Sequence, residues 1–207
     1  MPDNRFGPLL SFHDVEFALI GHIKTWLNTF LAARERKVAV TPGSIARPKS
    51  WIAKQTFSIL PGEDSTPTIV VVSNGTIEQP NRHGEGTYDV GFRMAVTALC
   101  HGNSSTLGRR LAGHYQAALI DLLLKQSKFV LFDDTKARLD DWLGIGLDDI
   151  DESQARTLCS ARLEFVVVVR DFAEQYGGPL TIPVDPLSPQ PDYSIVEDID
   201  TTTGDLP

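Results

Sequence analysis

One stretch limits what this chain can fold into more than any other. Over 87–100, Tyr88, Val90, Phe92, Met94, Val96, Ala98 and Cys100 share one side at strict period two, the alternation of a strand with one buried face. At about 3.3 Å per residue such a strand spans more than roughly 40 Å, long for an ordinary strand. It needs paired neighbours and a covering layer.

The covering layer is legible on either side of it. Ser11 and Asp14 make an S-x-x-D capping pattern, weaker than one closed by Glu or Gln. Val15, Leu19, Ile23, Trp26, Leu27 and Phe30 then recur at steps of three and four, an apolar stripe that predicts a helix over 13–36. Arg34, Arg36 and Lys37 close it with the charge that suits a helix C-terminus. A second helix follows the long strand, capped by Ser104 or Ser105, with Leu107, Leu111, Tyr115, Ala118, Leu119 and Leu122 as its buried stripe. Gly108 and Gly113 weaken that helix by about 1 kcal/mol each relative to Ala. Their presence predicts close packing against the sheet.

Further strands are expected around this core. Trp51, Ala53, Phe57 and Ile59 alternate with more polar neighbours over 51–60 and end at Pro61-Gly62. Thr68–Ser73 is a short β-branched run, and Asn74 to Gly86 reads as a flexible hairpin loop. Phe129–Phe132 suggests a short strand. Leu139–Glu152 mixes Trp142, Leu143, Ile145 and Leu147 with Asp pairs and glycines, and is expected as an ordered, partly apolar loop. Leu163, Phe165, Val167 and Val169 form the inner face of a last strand, while Val166 and Val168 imply that its outer face is covered too. The expected fold is α+β: a mostly antiparallel sheet of about four to five strands packed by two long helices. Residues 1–178 form the core domain, and 179–207 a Pro-rich acidic C-terminal arm.

Charge divides the chain unevenly. The net charge is −8, which disfavours a dedicated nucleic-acid binder. Residues 1–60 carry 8 basic and 4 acidic groups, residues 61–132 carry 6 of each, and residues 133–207 carry 5 basic against 17 acidic. Such a gradient serves solubility, or sets the acidic end of one subunit against the basic end of another. Residues 179–207 hold six prolines, six acidic residues and no Lys or Arg. They also hold Leu180, Ile182, Val184, Leu187, Tyr193, Ile195 and Val196, more apolar groups than a solvated tail requires. An extended arm docked on a neighbour accounts for them better than plain disorder.

Chemistry-bearing patterns are scarce. The longest pure apolar run is Phe165–Val169, far short of the roughly 20 residues of a membrane span. Acidic residues interrupt any signal-peptide core at the N-terminus, so a soluble protein made inside the cell is expected. Cys100 and Cys159 cannot supply a disulfide framework or a four-cysteine zinc site. Cys100 is in phase with the buried strand face, where a thiol is inert. His13, His22, His83, His101 and His114 show no H-E-x-x-H and no close i, i+4 pair; His22 reads as a packed or half-exposed imidazole rather than a ligand. There is no G-x-S-x-G elbow. His83-Gly84-Glu85-Gly86 precedes a strand rather than a helix, so it is a poor phosphate cradle. Asp133-Asp134, Asp140-Asp141 and Asp148-Asp149-x-Asp151 lack the calcium-loop spacing. No catalytic, cofactor-binding or metal-ligating residue is assigned, and no cofactor is expected.

The order of elements resembles the tail terminator and tail-completion (neck) proteins of long-tailed bacteriophages. The likeness is carried by the opening helix ending in Arg34-Glu35-Arg36-Lys37, by Ala46-Arg47-Pro48-x-x-Trp51, and by the Tyr88–Cys100 strand. The Leu107–Leu124 helix and the Arg162–Arg170 strand complete it, so it covers roughly 10–175. The resemblance implies a structural virion protein rather than an enzyme: a homo-oligomeric ring, usually a hexamer, that caps the tail tube. Its implied partners are the major tail tube protein and the head-tail connector or stopper protein, with DNA passing through the channel without specific binding and no membrane contact. It implies assembly in the bacterial host cytoplasm into the phage neck. The alternatives are another connector protein of the stopper or head-completion kind, a small soluble enzyme using His83, Glu85 and His101, or an α+β binding module.

Overall fold

The computed structural model describes residues 11–53, 63–77, 81–82, 87–131, 135–153 and 156–174. The chain divides into two units, Met1–Gln175 and Tyr176–Pro207, and every described residue belongs to the first. The elements are α1 (Phe12–Lys37), β1 (Ser50–Ala53), a short 3-10 turn at Glu63–Ser65, β2 (Thr68–Thr76), β3 (Asn81–Arg82), β4 (Thr87–Gly102), α2 (Ser105–Lys125), β5 (Lys128–Val130), β6 (Lys136–Ser153) and β7 (Arg156–Glu174).

The fold is α+β, with a seven-stranded sheet in the order β1-β2-β4-β7-β6-β5 and β3 alongside β4. All pairings are antiparallel except β1 with β2. The expectation of four to five strands was too low. Most of the difference is β6, where 139–152 was expected as a loop but is strand, paired with β7 from Ala137↔Val169 to Ser153↔Arg156. Register shifts at Leu139/Trp142, Trp142/Gly144 and Asp149/Asp151 break its alternation, because each bulge puts the next side chain out of phase. Of the strand expected over 51–60, only Ser50–Ala53 is described as strand, and residues 54–62 lie outside the described set. Phe129–Phe132 corresponds to β5, and Phe132 itself is not described. The arm 179–207 is likewise outside the described residues.

β4 is central and carries the expected alternation: Val90, Phe92, Met94, Val96, Ala98 and Cys100 are all buried. They face α1 and α2 with Ile69 and Val71 of β2 and Leu163, Phe165, Val167 and Val169 of β7 in one apolar core. The opposite face is covered too. Val70, Leu99 and Leu158 form a smaller buried cluster there, and Val166 is 7% exposed. α1 contacts β1 and β2 at one side of the sheet and β5 at the other, so the sheet curls around it.

The helix ends behave as their sequences require. Ser11 and Asp14 close a full capping box on α1, and Asp14 is held below the usual carboxylate range chiefly by the Ser11 backbone N–H. Ser104 caps α2 through the Leu107 N–H. Val15, Leu19, Ile23 and Leu27 are fully buried, whereas Trp26 is 39% exposed. Leu107, expected in the buried stripe of α2, is 53% exposed and lies on the wall of a surface cavity, while Gly108 beside it packs on the end of β4.

Two buried carboxylates fasten α1. The Ser73 N–H donates to Glu16 Oε1 at 2.6 Å, close to the register shift that ends regular β2 pairing. At the other end, Arg47 donates to both oxygens of Glu35, at 2.9 and 3.0 Å, and the Ile45 N–H adds a third bond at 2.9 Å. Arg47, and behind it the backbone N–H groups of Gly43 and Ile45, hold the Glu35 carboxyl down at about 2. A buried charge survives only when satisfied in this way.

Candidate functional site

The N-terminal end of α2 is built around a near-contact of backbones. A Cβ on Gly102 would collide with the Gly108 backbone, and one on Gly108 would lie 2.7 Å from Cys159 Sγ. Gly108 therefore has the packing role expected of it. Gly113 does not, for nothing lies within 4 Å of its Cβ position. Cys100 and Cys159 are direct cross-strand partners, both buried and without a disulfide between them; Cys159 Sγ donates to the Ser105 carbonyl at 3.9 Å. Burial, then the neighbouring Cys159, pushes the Cys100 thiol up to about 12, so it stays protonated and unreactive at neutral pH.

Beside this junction lies a cavity of about 610 Å³, lined by the 39–46 loop, the end of β4 and the first turns of α2. His101, Arg110 and His114 supply its chemistry, and Val40, Ile45, Leu107 and Leu111 its apolar wall. No carboxylate lines it among the described residues. His101 was expected just past the long strand, but it is the penultimate residue of β4, paired with Leu158. His101 Nδ1, His114 Nδ1 and Arg34 Nε are buried without a hydrogen-bond partner. Burial lowers the His114 pKa, and the charges of Arg34 and Arg110 lower it further. The pocket thus combines an apolar wall and the two histidines with a cation, Arg110, exposed at its mouth.

A second surface is the free side of β6. β5 pairs with it only at Lys136, Ala137 and Arg138, and the Leu139 N–H reaches the Ser127 carbonyl at 2.7 Å. Beyond that point no strand pairs with this edge among the described residues. The Gly146 carbonyl accepts from Gln116 of α2 at 3.1 Å. Leu143 and Ile145 are 41% and 55% exposed on this strand. The Asp140-Asp141 and Asp148-Asp149 pairs sit on β6 rather than in a loop, and Asp140 pairs with Arg138 at 3.1 Å.

A third surface is a groove of about 650 Å³ between α1 and β5, with Phe17, Trp26 and Val130 exposed along it. His22 forms its floor. Its Nε2 donates to the Gln126 carbonyl at 2.7 Å and its ring stacks on Phe129, as a packed imidazole does.

Of the residues of the enzymatic alternative, His101 is in the described cavity, while His83 and Glu85 lie outside the described residues. No group of three or more His, Cys, Asp or Glu is placed to hold a metal among the described residues. No described helix is long and apolar enough to cross a membrane. Sequence reasoning missed the Glu35–Arg47 pair and the Arg34–Arg110–His114 grouping. The run Arg34-Glu35-Arg36-Lys37 signalled only a helix end, and nothing local says which of its charges turns inward.

No known protein family matches the sequence, and no curated protein does. Solved structures that match weakly include two of note. One is a chain from the virion of a native gene transfer agent (GTA) particle, 12% identical, covering 72% of this chain and 95% of that one, with a TM-score of 0.33. The other, known by a sequence designation alone, is 14% identical and covers 82% of this chain and 99% of its own, with a TM-score of 0.35.

Proposed function

We propose that this chain is a structural protein of a phage-like virion: a tail terminator whose copies close into a ring, capping the tail tube and joining it to the head connector. The observation that carries this reading is the open edge of β6. A long unpaired edge bearing exposed apolar side chains is a template for another chain, which monomeric proteins blunt or cover. A ring needs two different complementary surfaces on each subunit so that head-to-tail contacts close. The β6 edge supplies one, and the basic cavity at the start of α2 offers chemistry for the other. In this reading no covalent step is performed, and an acidic C-terminal third keeps the channel from retaining DNA through phosphate contacts.

The test is the mass of the purified chain in solution, with the symmetry of the particles seen by electron microscopy. Rings of a fixed copy number that bind the ends of tail tubes are expected. A chain that stays monomeric at high concentration and binds neither tubes nor connectors would falsify the proposal.

A further inference from the structure

We infer that the cavity bounded by His101, Arg110 and His114 is a carboxylate-binding site, and that its occupant is the acidic arm 179–207 of a second copy of this chain. The inference rests on the ring reading and names the contact that would hold adjacent copies.

The cavity asks for an anion. Nδ1 of His101 and Nδ1 of His114, both lining residues, and Nε of Arg34 beside them are buried and lack partners; each imidazole nitrogen donates or accepts according to its tautomer. An arginine Nε–H can only donate, so its missing partner is an acceptor. Arg110 is exposed at the mouth, and Arg36 and Lys37 at the nearby end of α1 are exposed as well. Glu35, on the adjoining end of α1, is already taken up by Arg47.

The apolar wall narrows the class of anion. Val40, Ile45, Leu107 and Leu111 would face bare phosphates and sugars poorly, whereas a peptide offers carboxylates and aliphatic side chains together. The arm does so in Ile195-Val196-Glu197-Asp198-Ile199-Asp200, and it has no cation to repel the site.

The course of β7, set in a ring, favours a second copy as the source. β7 begins beside the cavity, where Thr157 pairs with Gly102, and ends at the far side of the sheet, where Glu174 pairs with Thr87. That is roughly 50 Å of strand. Glu174 thus lies a full sheet length from the cavity of its own copy. Residues 175–196, roughly 70 Å when extended, are long enough to span that. It is the head-to-tail contact of the proposed ring, setting this end of one copy near the cavity of the next, that favours the neighbour.

The experiment uses full-length chains with engineered cysteines, Cys100 and Cys159 being buried. Thr41→Cys at the exposed cavity rim is co-expressed with a differently tagged chain carrying Val196→Cys, and the pair is oxidised. A disulfide-linked dimer bearing both tags is expected, reduced several-fold by Arg110→Glu and regained when Glu197→Arg is added to the arm-bearing chain. Yields no higher than those with Cys at exposed Asn28 would overturn the inference. So would a Thr41→Cys, Val196→Cys double variant that closes only within one chain. Rings without mixed cross-links sink this contact and leave the ring standing; mixed cross-links from a chain that is monomeric by mass do the reverse.

Discussion

Glu35 shows how a single side chain can tie a helix to a loop. Its carboxylate collects the Arg47 guanidinium and the Ile45 N–H, and its pKa falls from an ordinary 4.5 to about 2. A depressed carboxylate contributes stability that is full above the unfolded pKa and is lost as pH falls through the folded one. Glu35→Gln should therefore lower the urea midpoint at neutral pH, and the gap from the parent chain should shrink between about pH 4.5 and pH 2. Urea titrations at neutral pH and near the bottom of that range check it. The two helical glycines give a paired prediction. Gly108→Ala drives a methyl into Cys159 Sγ and should cost about 1–3 kcal/mol. Gly113→Ala meets nothing and should stabilise by up to about 1 kcal/mol through helix propensity. Denaturant titrations of both variants read the contrast directly.

Among the elements, β4 and β6 differ most in how openly their sequences declare them. β4 keeps one phase over its whole apolar run, because its neighbours on both sides pair with it almost without interruption. β6 changes phase at each bulge, carries Gly144 and Gly146, and presents acids to solvent. Locally that is the texture of a loop, and only pairing with β7 makes it a strand. Much the same holds for the cavity. His101 and His114 were visible as histidines, but the chain folding back through Gly102 and Gly108 is what brings them together. α1 and α2 were readable because their stripes pack on a single sheet face, whereas Trp26 and Leu107 line a groove and a cavity that no stripe encodes. Ile145 tests the β6 edge as an element. It is 55% exposed, so Ile145→Asp should change the stability of the isolated fold by no more than about 0.5 kcal/mol. It should nevertheless weaken self-association strongly in sedimentation velocity. An unchanged mass distribution would remove β6 from the subunit contact.

For the whole molecule, charge runs from a basic first third to an acidic last third, and the cavity at one end of the sheet holds Arg110, His101 and His114 with Arg34 of the basic third close by. If charge sets the order of subunits, association must respond to salt. Raising ionic strength from about 0.05 M to about 0.5 M shortens the screening length from more than 10 Å to a few ångströms. The ring fraction measured by light scattering should fall across that range, while the melting temperature of the core moves little.

The ladder between β4 and β7 also has a mechanical meaning. It runs from Thr87↔Glu174 to Gly102↔Thr157, interrupted once between Tyr88 and Val90 and continuous from Val90 to Gly102, and its hydrogen bonds lie across the strands. A pull along the strands loads that whole ladder in shear, so many bonds must give way together. A pull at β5 meets three pairs and can unzip them singly. A ring of the proposed kind is best served by passing its load through the central strands, with β5 kept out of the line of force.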